Sequence, residues 1–426
     1  MSAPSATPSG ERPHIALFGR RNAGKSSLLN AIAGQPLSIV SDVPGTTTDP
    51  VTKSMELLPL GPVVFIDTAG IDDSGELGEL RVTRSIRVVD RTDLALLAIE
   101  AGVTPGPQEE SLARRLVDRG VPFVVVATKA DLGCDPAAIV AWAGSLGAPV
   151  VVVSTGDPAS IDRVKAALVA AAPRDLGAPP LIGDLVSPGD VVVLVVPIDK
   201  AAPKGRLILP QVMTIRDLLD RDASALVVKE RELRASLAAL VRPPRLVVTD
   251  SQAFLKVAAD VPRGVPMTGF SILMARHRGD LEQFVAGARA IATLERGDRV
   301  LIAEGCTHHR QADDIGTVQI PRWLRQTVGG DLAFTFRSGL DFPDDLPEYD
   351  LIVQCGGCTL NRREVLNRQR EAREAGVPMT NYGILLAQVH GILERALEPF
   401  PLAKLAWERG LEPAPGPPAR IARTIV

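Results

Sequence analysis

The stretch GRRNAGKS, residues 19 to 26, follows the apolar run IALF and precedes the helix-like run SLLNAIAG. A glycine-rich turn between a buried strand and a helix directs several backbone N–H groups toward one point at the positive end of the helix. Such a turn suits a phosphate group, with Lys25 reaching the β- and γ-phosphates and the Ser26 hydroxyl binding Mg²⁺. The stretch therefore predicts an α/β fold that holds a nucleotide where a strand ends.

Short apolar runs continue to alternate with helical stretches from residue 15 to about residue 171. The runs are IALFG, VVFIDTAG, LALLAIE, FVVVATKAD and VVVVSTGD, and each ends in polar residues or glycine. This alternation is typical of a doubly wound parallel sheet whose functional loops follow the strands. We expect a P-loop domain over residues 12–175, with flexible tails at residues 1–11 and 413–426.

Two further motifs predict the contacts with Mg²⁺ and the γ-phosphate. DTAG, residues 67–70, follows the apolar run VVFI, so Asp67 can hold Mg²⁺ through water and the Gly70 amide can contact the γ-phosphate. PGTTTD, residues 44–49, supplies Thr47 as a second Mg²⁺ ligand. Together with the glycine-rich turn, these motifs predict a nucleoside triphosphate bound with Mg²⁺.

The motif TKAD, residues 128–131, predicts which base is bound. The Asp131 carboxylate can accept two hydrogen bonds from guanine while the Lys129 stem packs on the ring, and adenine offers no matching pair of donors. Thr128 replaces the asparagine commonest at this point, a change that we expect to loosen the loop without changing the base. The run VVVV is followed by residues whose backbone amide can face the guanine oxygen. The predicted nucleotide contacts are Gly19, Asn22, Gly24, Lys25, Ser26, Ser27, Thr47, Asp67, Gly70, Thr128, Lys129, Asp131, Ser154 and Thr155.

The residues around these motifs also predict how GTP is hydrolysed. Ile71 follows DTAG, where Ras-like proteins place a glutamine that orients water, and the sequence identifies no arginine finger. We therefore expect slow hydrolysis, with Lys25, Asn22, Thr47, Asp67 and Gly70 as the catalytic set. Asn22 resembles the asparagine of TrmE-Era-Der GTPases that binds K⁺ beside the phosphates, and such a cation would stimulate hydrolysis. A plain turn residue is the alternative interpretation of Asn22.

Composition limits the remaining function classes. The chain has 426 residues, 46% of them apolar, which is sufficient for two or three packed domains. Its net charge is −3 with both signs interspersed, so we expect no nucleic-acid partner. Apolar runs are too short for a membrane span and the N-terminus lacks an apolar leader segment, which predicts a cytoplasmic protein without a membrane partner.

Beyond a Pro- and Gly-rich linker at residues 172–190, a second α/β region contains an internal repeat. VPMTGFSILMA, residues 265–275, recurs as VPMTNYGILLA, residues 377–387, with seven identities in eleven positions. Each copy follows a strand-like run and a helical stretch. The pattern predicts a duplicated strand–helix–strand–helix unit, and chance similarity is the alternative.

Three of the four cysteines lie in the last third of the chain. Cys306 follows the strand-like run RVLIA, whereas Cys355 and Cys358 follow LIVQ, so parallel strands would bring them together. Thiolates are soft ligands for iron–sulfur clusters or zinc. Three of them leave one position of a 4Fe–4S cluster for His308, a carboxylate, water or an incoming ligand. A zinc site of three cysteines and one histidine, and a dithiol redox pair, are the alternatives.

At this point the whole chain resembles the HydF family, GTPases that mature the di-iron site of FeFe-hydrogenases. The residues that carry the resemblance are the K⁺-type P-loop, PIDKAAPKGRLILPQ at residues 197–211, CTHH at 306–309 and CGGC at 355–358. HydF proteins show Cys-x-His followed, after a long gap, by His-Cys-x-x-Cys. Here 46 residues separate His308 from Cys355, and Gln354 stands where the second histidine is expected.

The resemblance implies an α/β dimerisation domain over residues 181–264 and an α/β cluster-binding domain over residues 265–412. It implies a 4Fe–4S cluster on Cys306, Cys355 and Cys358, with His308 as a candidate fourth ligand. It further implies a homodimer that carries a di-iron precursor between radical-SAM maturation enzymes and the FeFe-hydrogenase apoprotein, with GTP as a switch. An Era- or TrmE-like GTPase that acts on RNA or ribosomes with a structural zinc site is the alternative function, and a zinc module for protein contacts is another.

Overall fold

The computed structural model describes residues 9–34, 51–72, 82, 85–173, 179–197, 207–305, 314–357 and 359–410. The chain divides into two compact units, residues 1–177 and residues 178–426. Each unit is an α/β structure with its own sheet or sheets.

In the described part of the first unit, six strands form one sheet in the order β2-β3-β1-β4-β5-β6. The strands are β1 His14–Gly19, β2 Val51–Leu57, β3 Gly61–Asp67, β4 Leu94–Glu100, β5 Phe123–Thr128 and β6 Val150–Val152. The helices are α1 Lys25–Ala33, α2 Pro107–Asp118, α3 Ala137–Ser145 and α4 Pro158–Ala171. All neighbouring strands are parallel except β2, which is antiparallel to β3.

The burial pattern explains both kinds of pairing in this sheet. β1 and β5 are buried at every position, because apolar clusters cover both faces of the sheet. β2 instead alternates between half-buried and exposed residues, as an edge strand with one solvated face does. The prediction of an N-terminal P-loop α/β fold is confirmed, with the addition of this antiparallel edge.

The described part of the second unit contains two parallel four-stranded sheets, β10-β9-β7-β8 and β12-β11-β13-β14. The strands are β7 Val191–Val195, β8 Ser224–Val228, β9 Leu246–Thr249, β10 Met267–Gly269, β11 Arg299–Glu304, β12 Ala333–Ser338, β13 Leu351–Gln354 and β14 Met379–Asn381. The helices are α5 Leu209–Leu219, α6 Leu233–Ala239, α7 Phe254–Asp260, α8 Phe270–Arg278, α9 Leu281–Ala288, α10 Ile320–Val328, α11 Arg362–Glu374, α12 Tyr382–Val389, α13 Leu393–Ala396 and α14 Pro401–Arg409. One continuous apolar core joins the two sheets.

The internal repeat forms the same structure twice. Its first copy makes β10 and α8, its second makes β14 and α12, and both strands lie at the edge of their sheet. The seventh positions of the two copies, Ser271 and Gly383, touch each other: a Cβ on Gly383 would lie 2.0 Å from the Ser271 Oγ. The domain boundary predicted between residues 264 and 265 would separate β10 from β9. These two strands pair in the same sheet of the second unit, β10-β9-β7-β8.

The helices of the described residues are short. The longest, α4, has 14 residues, whereas a membrane span requires about 20 apolar residues. No helix in this described part combines the length and apolar character needed to cross a bilayer.

Candidate functional site

The P-loop joins the end of β1 to the start of α1. Its backbone is left-handed at Asn22, with φ of 60°, and at Gly24, with φ of 81°. At Gly19 a Cβ would lie 2.3 Å from the Ala98 carbonyl oxygen, so only glycine lets the loop pass this close to β4. The loop therefore turns tightly at the carboxyl edge of the sheet, next to the first residues of α1.

The lysine of this loop lies against its backbone. Lys25 Nζ donates hydrogen bonds to the carbonyl oxygens of Gly19, at 3.0 Å, and Arg20, at 2.8 Å. The Ser26 hydroxyl donates to Asp67 Oδ2 at 2.7 Å. Two residues predicted to hold Mg²⁺ directly or through water therefore meet where β1 and β3 end.

The DTAG segment also touches the P-loop. A Cβ on Gly70 would lie 2.7 Å from the backbone nitrogen of Arg21, and that nitrogen donates to Asp72 Oδ1 at 2.6 Å. Ile71 N donates to the Gly19 carbonyl oxygen at 3.2 Å. These contacts hold the Gly70 backbone beside the P-loop, which would bind the phosphates. Thr47, the other predicted Mg²⁺ ligand, lies outside the described residues.

The TKAD segment is tied to the P-loop through its threonine. The buried Thr128 hydroxyl donates one hydrogen bond that two backbone carbonyl oxygens share. The oxygen of Ala23 lies 2.8 Å away and that of Ile99 lies 3.2 Å away. Thr128 therefore contacts the P-loop directly, and the expected loosening of the loop stays a prediction. Lys129 has a left-handed backbone, and its Nζ pairs with Glu100 Oε2 at 2.7 Å.

The predicted base contacts lie on the same edge of the sheet. Asp131 is exposed on a single 3₁₀ turn that follows β5. Ala130 N donates to the Val153 carbonyl oxygen at 3.1 Å, which joins this turn to the segment with Ser154 and Thr155. The carboxyl ends of β1, β3, β5 and β6 therefore present the four predicted motifs together.

An ion pair that sequence reasoning missed supports the P-loop. Arg20 Nε and Nη2 donate to the two carboxylate oxygens of Glu109, at 2.6 and 2.8 Å. The Glu109 side chain is 1% exposed, whereas that of Arg20 is 33% exposed. Burial alone would raise the pKa of Glu109, but the hydrogen bond from Arg20 and that from Gly106 N lower it below its usual value. The sequence GPQEE signals the helix start at Pro107, but it gives no sign of the pairing with Arg20.

The second site lies where β11 and β13, which are parallel neighbours, end side by side. Cys355 N donates to the Ala303 carbonyl oxygen at 2.9 Å. Gly305 N donates to Cys355 Sγ at 2.9 Å, and Gly357 N lies 3.4 Å from the same sulfur as a second donor. Gly305 directly precedes Cys306, and Gly357 directly precedes Cys358. Both of those cysteines and His308 lie outside the described residues.

Three N–H groups lie close to the sulfur of Cys355. Gln354 Nε2 is a third N–H donor, 3.6 Å from Sγ. Hydrogen bonds to the charged form of a group stabilise that form, and thiolate is the form that binds metals. The donor set therefore fits a cysteine that ligates an iron–sulfur cluster or a metal ion.

Glu304 and Tyr382 flank this cysteine, and the sequence analysis did not single them out. Glu304, at the end of β11, is buried, and its Oε1 accepts a hydrogen bond from the Tyr382 hydroxyl at 3.3 Å. Burial raises the pKa of Tyr382 far above its usual value, and the negative charge of Cys355 raises it further. Tyr382 therefore stays a neutral donor at physiological pH.

Three family models match parts of the chain. The model described as hydrogen maturase F dimerization domain matches residues 181–279, and the hydrogen maturase F tetramerization domain matches residues 282–399. A 50S ribosome-binding GTPase model matches residues 14–129.

Individual relatives resemble the GTPase portion. GTPase Der of Thermomicrobium roseum is 42% identical over 131 residues, which is 30% of this chain and 28% of that protein. The tRNA modification GTPase MnmE of Chromobacterium violaceum is 36% identical over 160 residues, 37% of this chain and 34% of the relative. Both matches thus leave most of each curated relative uncovered. Among solved structures, Era of Aquifex aeolicus bound to GDP and aluminium fluoride has 20% identity and a TM-score of 0.35, covering 51% of this chain and 94% of Era.

The ion pair between Arg20 and Glu109 yields a stability prediction. Glu109→Gln should lower the free energy of unfolding of the first unit by about 1 kcal/mol at pH 7, because one partner is exposed to solvent. The lowered pKa of Glu109 means that its contribution to stability is present above the unfolded-state pKa and is lost as the pH falls through the lower folded-state pKa. The difference from wild type should therefore shrink in acid.

The measurement is urea unfolding followed by Trp142 fluorescence, with Trp323 and Trp407 changed to phenylalanine in all chains. Glu110→Gln is the matched control, because Glu110 is the exposed neighbour on the same helix. Equal effects of the two substitutions, at pH 7 and in acid, would contradict a special role for Glu109.

Proposed function

Because the chain belongs to the hydrogen maturase F family, we propose that it is a GTP-hydrolysing scaffold that carries a 4Fe–4S cluster. The cluster would sit beside a di-iron precursor that the scaffold assembles or transfers to an FeFe-hydrogenase. The observation that carries this proposal is a pair of hydrogen bonds to Cys355 Sγ. Their donors are the backbone N–H groups of the residues directly before Cys306 and Cys358. These contacts place Gly305, Gly357 and the Cys355 sulfur within a few ångströms of one another.

The nucleotide would bind along the carboxyl edge of the first sheet. We assign the phosphates to the residues 19–27 of the P-loop, and Mg²⁺ to Ser26 and Thr47, with Asp67 acting through water. The base would lie against the TKAD segment and Ser154–Thr155. Support comes from the hydrogen bonds that already join the P-loop to Asp67 and Thr128. GTP would then act as a switch on the scaffold.

Hydrolysis would be slow and stimulated by K⁺. Ile71 is buried directly after DTAG and has no group that could orient water. Asn22 is exposed in a left-handed turn of the P-loop, which is compatible with a side-chain oxygen available to a monovalent cation. A cation beside the phosphates would stabilise the charge that an arginine finger stabilises in other GTPases.

The cluster would be held by Cys306, Cys355 and Cys358, with His308 as the candidate for a fourth ligand. When bound, it supplies one-electron chemistry and an iron with an exchangeable position. The chain contributes the N–H donors to Cys355 and the buried Glu304–Tyr382 pair beside it. These groups would orient the ligand sulfur and exclude water from one side of it.

The family models also support self-association, because their descriptions are those of dimerization and tetramerization domains. We propose a cytoplasmic homodimer whose partners are the radical-SAM maturation enzymes and the hydrogenase apoprotein. We place the dimerisation domain at residues 181–279 instead of ending it at 264, since β10 belongs to the sheet of β7 to β9. The cluster-binding domain would follow it up to about residue 412.

Guanine specificity can be tested at Asp131. Asp131→Asn should weaken GTP binding at least tenfold and improve xanthosine triphosphate binding, because the amide reverses one hydrogen-bond donor and acceptor. Fluorescent-nucleotide titrations measure both affinities. Asp135→Asn, a change at an exposed carboxylate four residues away, should alter neither, and an unaltered GTP affinity in Asp131→Asn would remove Asp131 from the site.

Potassium dependence can be tested by phosphate release in KCl and NaCl at equal ionic strength. Wild type should hydrolyse GTP faster in K⁺, whereas Asn22→Ala should be equally slow in both salts. Arg21→Ala changes the neighbouring exposed residue of the loop and should keep the preference for K⁺. Equal wild-type rates in the two salts would contradict the role of the cation.

The cluster can be tested by replacing each cysteine with serine. Cys306→Ser, Cys355→Ser and Cys358→Ser should each lose most iron and acid-labile sulfide after anaerobic reconstitution, because a neutral hydroxyl is a poor substitute for thiolate. Cys134→Ser, in the first unit, is the control and should retain both. His308→Ala should keep the cluster and change its electron paramagnetic resonance spectrum.

A full cluster in Cys355→Ser would contradict the ligand assignment. Zinc bound to a colourless wild-type chain would overturn the cluster altogether and favour a structural zinc site.

A further inference from the structure

We propose that Gln354 is a positioning residue of the cysteine site, donating its side-chain amide to Cys355 Sγ in an orientation fixed by Arg368. This inference rests on the proposed function only for its effect on a cluster. The hydrogen bonds themselves are features of the chain. Gln354 stands where the resemblance to HydF places a histidine, and here that position takes a different role.

The partner of its oxygen decides which way the Gln354 amide faces. Arg368 Nη1 lies 3.2 Å from Gln354 Oε1, and a guanidinium can only donate hydrogen bonds. The reverse amide orientation would set two donors against each other at Arg368. The oxygen therefore faces Arg368, and the NH₂ group faces Cys355 Sγ at 3.6 Å.

Arg368 is itself held in one orientation. Its Nε donates to Glu364 Oε1 at 2.9 Å, one turn earlier on α11, and its Nη2 donates to the Gly339 carbonyl oxygen at 2.7 Å. The guanidinium carbon lies 5.1 Å from the centre of the Phe342 ring. Arg368 is 2% exposed and Gln354 is 1% exposed, so water competes with neither contact. A buried guanidinium with this set of partners has little freedom to rotate.

The Gln354 amide lies between Arg368 and the Cys355 sulfur. Both ends of the Gln354 amide are engaged within the chain, so this side chain serves the site as a donor to a ligand and not as a ligand. Hydrogen bonds to a ligand sulfur stabilise the negative charge on it and raise the reduction potential of a cluster. Gln354 would therefore hold the Cys355 sulfur in place and favour the reduced state of the cluster.

Two readouts test this role. The first is the rate at which iodoacetamide alkylates Cys355 in the metal-free full-length chain at pH 7.5, read from its peptide by mass spectrometry. The second is the midpoint potential of the cluster after reconstitution. Gln354→Met removes the donor and adds no charge, and it should slow alkylation about threefold and shift the potential to a more negative value.

Further variants test whether Arg368 acts through Gln354 or whether any substitution in this buried region has the same effect. Gln354→Glu keeps an acceptor for Arg368 but loses the donor and adds charge beside the sulfur, so it should shift both readouts further in the same direction. Arg368→Met should act like Gln354→Met, and the double variant should show no added effect, because Arg368 acts through Gln354. Gln369→Met is the matched control: Gln369 is also 1% exposed, but its amide bonds to the Asp280 backbone. It should leave both readouts unchanged.

Unchanged alkylation in Gln354→Met, or equal changes in Gln354→Met and Gln369→Met, would overturn the proposal. If the effects of Gln354→Met and Arg368→Met added fully in the double variant, Arg368 would not act through Gln354. If wild type binds no cluster while Gln354→Met still slows alkylation, the proposed function fails and the positioning role stands.

Discussion

In both units, parallel strands that are neighbours in a sheet end at the same edge, and the loops that follow them are held side by side whatever their distance along the chain. In the first unit this constraint gathers the P-loop, DTAG and TKAD segments at the ends of β1, β3 and β5. In the second it sets Gly305 against Cys355, because β11 and β13 are paired. Any shift of register between these strands would separate the groups that form each site.

The P-loop owes its conformation to more than its own glycines. Thr128 bonds to the loop from the end of β5, and Glu109 holds Arg20 from α2. Both contacts join the loop to other elements of the first unit. Contacts that restrict the loop in this way reduce the conformational entropy that ordering it around a nucleotide would cost.

The cysteine site combines buried charge with close backbone packing. An ion pair between Arg368 and Glu364, both buried, costs desolvation that their attraction only offsets when the geometry is good. Such a network contributes orientation more than stability, and the orientation here reaches Gln354. The two copies of the repeat also pack closely, because Gly383 has no side chain and lets the second copy contact Ser271 of the first.

The sequence by itself determined the strand–loop–helix context of the P-loop, the order of the nucleotide motifs and the repeated β–α units, because these depend on local patterns of apolar residues and glycines. It also singled out Cys355 and the unusual Gln354. Only the tertiary structure decided that Glu109 pairs with Arg20, that Thr128 secures the P-loop, and that Arg368 orients Gln354. These contacts join residues on different elements, or depend on which face of α11 is buried. Their geometry follows from how the elements pack, and local patterns in the sequence do not contain that information.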